Sequence, residues 1–209
     1  MIEIGSILEA ERALADLQAA VFDLDDTLYS EKDYVRSGFK AVAAMFPSVP
    51  EMAAQLWKAF ENGLPAIDAV LVANDLAEHK KEALHAYRSH MPEIEAYPGV
   101  RSMLERLRET KKLALITDGR PEGQRAKIKA LGIGTLFDVI VITDELGGLE
   151  FRKPNDAAFR LVQKELSVPF EAMAYVGDNP RKDFIAPDKL GMRSVWFRNP
   201  DGIYYEEKR

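Results

Sequence analysis

From residue 97 onward, apolar segments alternate with segments of helical period, and this alternation limits the possible folds more than any other feature. The segments of helical period include PGVRSMLERLRET, PEGQRAKIKALGI and KPNDAAFRLVQKELSV. The apolar segments include KKLALITDG, FDVIVITDELG, EAMAYVGDNP and MRSVWFRNP. Strands that alternate with helices predict a parallel sheet with helices on both faces. An earlier apolar run at residues 17–22 adds another buried strand.

Residues 30–95 differ from the rest of the chain. They are rich in Ala, Glu, Lys, Met and Leu, their apolar residues recur at helical spacing, and Pro and Gly separate the predicted helices. No strand pattern occurs in this block. We therefore predict an α/β core domain formed by residues 1–29 and 96–209, with an all-helical domain of residues 30–95 inserted into it.

Composition narrows the class of protein. The chain has 209 residues with 47% hydrophobic and 30% charged residues, as in ordinary globular proteins. A net charge of −6 argues against a nucleic-acid polymer as partner, and no apolar run reaches the roughly 18 residues that a membrane span needs. The absence of cysteine excludes disulfides and thiolate zinc sites. The acidic N-terminal segment lacks the features of a signal peptide, so we expect a cytoplasmic protein.

Polar residues follow three of the predicted strands. The first strand runs into DLDDT, a second ends in ITDG, and a third ends in GDNPRKD. Because function gathers at the carboxyl ends of parallel strands, these groups are expected at one edge of the sheet. The side chains concerned are Asp23, Asp25, Thr117, Asp178 and Asp183.

Clustered aspartates need a compensating charge. Carboxylates that converge in a buried place raise one another's pKa and destabilise the fold, and a bound divalent cation relieves this. Oxygen ligands without His or Cys favour Mg²⁺ over zinc. Thr117 as a hydroxyl donor and Lys153 as a cation would suit a phosphoryl group, which an aspartate can accept covalently. For Asp26, a purely structural role in a turn or helix cap remains an open alternative.

The segments FDLDDT, LITDG, RKP and GDNPRKD, in this order, resemble the four motifs of the haloacid dehalogenase (HAD) superfamily. The resemblance covers residues 17–29 and 97–199. It implies a Rossmann-like, three-layer core with a parallel sheet, and it identifies the helical insert as a cap domain placed after the first motif.

The resemblance also implies roles for the motif residues. Asp23 would be the nucleophile and a Mg²⁺ ligand. Asp25 would bind Mg²⁺ through its backbone carbonyl and serve as general acid and then base. Thr117 and the amide of Asp118 would hold phosphoryl oxygens, and Lys153 would balance the charge.

Two further acidic residues complete this implied site. Asp178 would be a Mg²⁺ ligand, and Asp183 would be a second acidic contact to the metal. A surface position on a helix is the alternative for Asp183.

Asp25 favours the phosphatase branch of this family. The branches that attack carbon or cleave phosphonates lack an acidic residue at this position, whereas a departing alkoxide needs a proton. We therefore expect a Mg²⁺-dependent phosphatase that hydrolyses a small phosphate monoester through an aspartyl phosphate. The substrate would be a sugar phosphate or a nucleoside monophosphate. A phosphomutase and a catalytically idle binding module remain alternatives, and the oligomeric state stays open.

Residues at the start of the insert are candidates for contacts with the leaving group. These are Tyr29, Lys32, Asp33, Tyr34 and Arg36. The alternative is that they form the solvated face of the first cap helix.

Overall fold

The computed structural model describes residues 1–203 and 205. A six-stranded, fully parallel sheet forms its centre, in the order β1-β6-β5-β2-β3-β4. The strands are β1 (Ile2–Ile4), β2 (Ala19–Phe22), β3 (Lys112–Thr117), β4 (Val139–Ile142), β5 (Met173–Gly177) and β6 (Arg193–Phe197). The predicted α/β fold with a parallel sheet is thereby confirmed.

The central strand β2 positions the first motif. All four of its residues are buried, which explains why the sequence reads as a continuous apolar run rather than an alternating one. Phe22 pairs with Leu115 of β3 and with Val176 of β5. The carboxyl ends of these three strands are therefore nearly level, and the segments that follow them emerge at one edge.

The α-helices of this part of the chain are α1 (Ala10–Ala13), α6 (Val100–Arg108), α7 (Pro121–Leu131), α8 (Ala157–Leu166) and α9 (Ile185–Leu190). Helix α7 begins with a proline and stops at Gly132, whose φ of 65° suits glycine. One face of the sheet packs on α8, where Phe159 and Val162 join Val21 and Tyr175 in a buried cluster.

Four α-helices form the inserted part: α2 (Glu31–Ala43), α3 (Met52–Glu61), α4 (Ala66–Ala73) and α5 (Lys80–Ser89). They enclose their own core, which includes Phe39, Leu56 and Leu71. The chain divides into two compact units, Met1–Glu31 with Glu95–Arg209 and Lys32–Ile94. Within the described residues, no helix combines the length and the apolar character needed to cross a bilayer.

Short 3₁₀ turns connect several of these elements: Ile7–Glu9, Ala77–His79, Gly134–Leu136, Thr143–Leu146, Leu149–Phe151 and Phe170–Ala172. Strand β1 is an addition to the predicted elements. It pairs with β6 in the register Ile2 to Val195, and only one of its three residues is buried. Three residues are too few to show an alternating pattern, so the sequence did not indicate this strand.

Candidate active site

Three buried aspartates meet at the carboxyl edge of the sheet. Asp23 directly follows β2, Asp178 directly follows β5, and Asp183 lies five residues further on. Each offers a carboxylate oxygen, and these oxygens lie within 4.8 Å of one another. The structure therefore brings three of the four predicted metal ligands together through their side chains, including Asp183, which is fully buried and not on the surface.

Local backbone contacts hold two of these aspartates in place. The amide of Asp23 donates to the carbonyl of Val176 at 2.8 Å, which continues the pairing of β2 with β5. The amide of Asn179 donates to Oδ2 of Asp183 at 3.0 Å. A Cβ at Gly177 would lie 2.5 Å from the same oxygen. Glycine is therefore needed here for the close approach of Asp183.

Lys153 is the buried cation of this cluster. Its Nζ lies 2.6 Å from Oδ1 of Asp23 and 2.8 Å from Oδ1 of Asp183. It also donates to the hydroxyl of Tyr175 at 2.8 Å. Burial lowers the pKa of Lys153, but Asp183 and Asp23 together raise this pKa well above its usual value. Lys153 is therefore charged, and Tyr175 is a contact that the apolar pattern of its strand concealed.

The single positive charge of Lys153 does not balance the negative charges of the three clustered aspartates. Burial raises the pKa of Asp23 to about 7, opposed by Lys153 and reinforced by Asp183. Burial, Asp183 and Asp23 also raise the pKa of Asp178 well above its usual value. Three oxygen donors with excess negative charge in a buried place form a donor set that fits a hard divalent cation. The residues present thus fit the predicted Mg²⁺.

Asp25 has different surroundings. Its side chain is 20% exposed, and Nζ of Lys127 lies 2.6 Å from its Oδ1. Gln124 donates to its Oδ2 at 2.9 Å, and the hydroxyl of Tyr29 also donates to its Oδ1. Burial raises the pKa of Asp25, but Lys127 and the hydrogen bonds outweigh burial and leave this pKa below its usual value.

Thr117 and Asp118 follow one another at the end of β3. Thr117 is fully buried, and its hydroxyl oxygen accepts a hydrogen bond from Gln124. The carboxylate of Asp118 accepts from Nζ of Lys182 at 2.9 Å and from the amide of Lys153 at 3.1 Å. Asp118 thus anchors the segment that carries Lys153. The binding of a phosphoryl oxygen by the Asp118 amide stays a prediction.

Asp26 has structural contacts. Its φ is 52° and its side chain is buried. Oδ1 accepts the amide of Glu31 at 2.8 Å, which satisfies a donor at the start of α2, and Oδ2 accepts the amide of Ile203 at 2.8 Å. Asn199 donates to its carbonyl at 2.8 Å. These contacts support the structural alternative for Asp26.

Tyr29 is fully buried, and its hydroxyl is engaged with Asp25. The other predicted contacts to the leaving group begin α2: Lys32, Asp33, Tyr34 and Arg36. Asp33 and Arg36 form an exposed ion pair at 3.1 Å. The Arg36 guanidinium carbon lies 4.0 Å from the ring centroid of Trp57. Contact of these side chains with substrate stays a prediction.

Gln124 and Lys127 are site residues that sequence reasoning missed. Both are buried on α7, in the stripe that continues through Ile128 and Leu131. Their spacing follows the helical period, so apolar side chains are expected at these positions. The sequence did contain a signal for them: helix α7 follows the LITDG motif, and two polar residues interrupt its apolar stripe.

Comparison with known proteins identifies a family that this chain matches. Residues 20–197 match the family model of the haloacid dehalogenase-like hydrolases. A phosphoserine phosphatase of Thermus thermophilus is 32% identical over 130 residues, which make up 62% of this chain and 51% of that enzyme. The match thus spans about half of that relative. A glyceraldehyde 3-phosphate phosphatase of Pyrococcus abyssi is 28% identical over 200 residues, with 87% of this chain and 82% of the relative covered.

A solved structure shows the same fold. The HAD-superfamily hydrolase of subfamily IA from Geobacter sulfurreducens superposes with a TM-score of 0.70 at 14% identity. The superposition covers 88% of this chain and 89% of that one.

Proposed function

The chain belongs to the haloacid dehalogenase-like hydrolases, whose family model matches residues 20–197, and we propose that it is a Mg²⁺-dependent phosphatase for small phosphate monoesters. One observation carries this proposal. Asp23 lies in a buried acidic cluster beside Lys153, while Asp25, two residues along, is held separately by Lys127 and Gln124. The site therefore offers two carboxylates with separate tasks, as phosphoryl transfer followed by hydrolysis requires.

Asp23 is the nucleophile in this proposal. Its carboxylate oxygen forms a bond to phosphorus while the bond from phosphorus to the ester oxygen breaks, which leaves an aspartyl phosphate. Lys153, 2.6 Å from Oδ1 of Asp23, places a fixed positive charge next to the transferring group. Thr117 accepts its hydrogen bond from Gln124, so its own hydroxyl hydrogen can donate to a phosphoryl oxygen.

Asp25 moves the protons. In the first step it gives a proton to the departing alcohol oxygen. In the second step it takes a proton from the water that attacks phosphorus, and the bond to Asp23 breaks to release inorganic phosphate. Lys127 holds Asp25 in its ionised form before substrate binds, so the proton that Asp25 passes to the alcohol oxygen enters with the substrate, on its monoanionic phosphate group.

The metal belongs to the acidic cluster. Asp23, Asp178 and Asp183 would hold Mg²⁺ together with the backbone carbonyl of Asp25. When bound, Mg²⁺ supplies positive charge that offsets the carboxylates and the phosphoryl oxygens. Asp183 is also paired with Lys153, so it links the metal site to the lysine.

The names of two relatives support a substrate class. Their names give phosphoserine and glyceraldehyde 3-phosphate as substrates, and both compounds are three-carbon phosphate monoesters. We therefore place sugar phosphates and other short alkyl phosphates ahead of nucleoside monophosphates for this chain.

The test is phosphate release from a panel with Mg²⁺ and with EDTA. The panel contains phosphoserine, triose and hexose phosphates, nucleoside monophosphates and p-nitrophenyl phosphate. Metal-dependent release, fastest for a short alkyl phosphate, is the expected result. Conversion of a sugar phosphate to its isomer without phosphate release would indicate the phosphomutase. No turnover of any member would contradict the phosphatase and point to the binding module.

A further inference from the structure

Helix α7 connects the two motifs that surround the phosphoryl site. Nε2 of Gln124 donates both to Oδ2 of Asp25 at 2.9 Å and to the hydroxyl oxygen of Thr117. Lys127, one helical turn further on, places its Nζ 2.6 Å from Oδ1 of Asp25. We propose that Gln124 and Lys127 are positioning residues that fix the proton-transferring carboxylate of Asp25 relative to Thr117. The inference rests on the proposed phosphatase activity.

Packing alone does not explain these two side chains. Gln124 is 4% exposed and Lys127 is 5% exposed, in a stripe whose other buried members are Ile128 and Leu131. Burying an amide and an ammonium group costs free energy that apolar residues of similar size would not cost. Nε2 of Gln124 and Nζ of Lys127 both donate hydrogen bonds to Asp25. The buried positions of Gln124 and Lys127 are therefore explained by their contacts with the Asp25 carboxylate.

Together these contacts fix both oxygens of one carboxylate. Lys127 and Tyr29 bind Oδ1 of Asp25, while Gln124 binds Oδ2. A carboxylate bound at both oxygens cannot rotate without breaking a hydrogen bond. Because a single amide nitrogen of Gln124 also reaches Thr117, the distance from Asp25 to the phosphoryl-binding hydroxyl is set by one atom.

The backbone next to Thr117 makes room for this amide. Gly119 has a φ of 136°, and a Cβ at this position would lie 3.3 Å from Cδ of Gln124. The glycine of the ITDG segment therefore leaves the space that the Gln124 side chain occupies. This observation is independent of the hydrogen bonds and points to the same function.

The test compares two leaving groups. An alkyl phosphate releases a strongly basic alkoxide that needs a proton from Asp25, whereas p-nitrophenyl phosphate releases a weakly basic phenolate that does not. The variants are Gln124→Met and Lys127→Met, measured with p-nitrophenyl phosphate and with the alkyl phosphate that wild type hydrolyses fastest. We expect kcat for the alkyl phosphate to fall about 100-fold and kcat for p-nitrophenyl phosphate to fall less than about 10-fold.

Two further variants serve as controls. Lys127→Arg keeps a cation in reach of Asp25 and should restore part of the lost kcat. Lys129→Met removes an exposed lysine from the same helix and should leave both rates unchanged. If Lys127→Met fails to fold by circular dichroism, Gln124→Met, which removes no charge, decides the question alone.

The outcomes separate the two claims. A selective loss for the alkyl phosphate supports the positioning role. Equal losses for both esters, or no loss, with an active wild type would overturn this inference and leave the phosphatase intact. A wild type that releases phosphate from neither ester would remove the proposed function and this inference with it.

Discussion

Asp23 and Asp25 are separated by one residue, yet their surroundings act on them in opposite directions. Burial and Asp183 raise the pKa of Asp23 to about 7 although Lys153 lies beside it. Around Asp25, Lys127 and three hydrogen bonds overcome burial and hold the pKa below its usual value. The positive charge near Asp23 does not balance the surrounding carboxylates, whereas the positive charge and hydrogen-bond donors near Asp25 stabilise its ionised form.

This difference separates binding from proton transfer. Only the Asp23 side carries an excess of negative charge, so only this side gains from a divalent cation. The Asp25 side is balanced by the chain itself, with Gln124 and Lys127 contributed by helix α7 and Tyr29 by the segment after β2. In the proposed mechanism, the segment after β2 thus combines metal binding at Asp23 with proton transfer at Asp25, because different elements of the fold contribute the charges around each carboxylate.

The largest expected effect is on turnover after Asp23→Asn. The substitution keeps volume but removes the nucleophilic carboxylate, so kcat should fall on the order of 10⁴-fold or more. Phosphate release with Mg²⁺ measures the effect, and circular dichroism checks the fold. Residual activity within about tenfold of wild type would refute covalent catalysis by Asp23.

Asp25→Ala should reduce turnover by about 10²- to 10⁴-fold, the usual range for a general acid or base. Since Asp25 acts in both steps, formation and breakdown of the aspartyl phosphate should both slow. Rapid-quench measurement of each step provides the test. If both steps keep their wild-type rates, Asp25 is not the proton-transferring group.

Lys153→Met should lower the free energy of unfolding by about 3–5 kcal/mol, since it leaves buried carboxylates without their cation. Urea denaturation at neutral pH without metal measures this loss, and Lys129→Met is the matched control. Added Mg²⁺ should recover part of the stability, because a cation then offsets the same carboxylates. A loss as small as that of the control would show that Lys153 does not compensate the cluster.

The smallest expected effect is on the pH dependence of stability, and it tests the different surroundings of Asp23 and Asp25 most specifically. A raised pKa in the folded state means that Asp23 makes the metal-free protein less stable as pH rises from about 4 to about 7. A lowered pKa means that Asp25 contributes stability above its unfolded pKa, and this contribution is lost as pH falls through the folded pKa.

Substitutions at these two positions should therefore shift stability in opposite directions. At pH 8 in EDTA, Asp23→Asn should raise Tm and Asp25→Asn should lower it. Differential scanning calorimetry of both variants and wild type measures the shifts. Shifts of the same sign would contradict the opposed environments of Asp23 and Asp25.

The sequence predicted those parts that depend on local pattern. Apolar runs such as the one ending at Phe22 are long enough to identify a buried strand, and the residues after such strands share one edge because the sheet is parallel. The same reasoning brought Asp23, Asp178 and Asp183 together, and the structure shows their oxygens within 4.8 Å.

Contacts made across the fold could not be predicted in this way. Gln124 and Lys127 meet Asp25 about 100 positions away in the sequence, and no spacing rule relates them. Tyr175 lies in an apolar strand, and that pattern does not indicate the contact of its hydroxyl with Lys153. Strand β1 was missed because a short edge strand is specified mainly by its partner.

Strand β1 has a consequence for how the protein folds. Its single neighbour in the sheet is β6, so residues 2–4 pair with residues 195–197, near the opposite end of the described chain. Strand β2, which Asp23 follows, pairs with β5 only after residues 173–176 have been synthesised. Contacts so distant in sequence slow folding. During synthesis the acidic cluster therefore forms late, when nearly all of the described chain has left the ribosome.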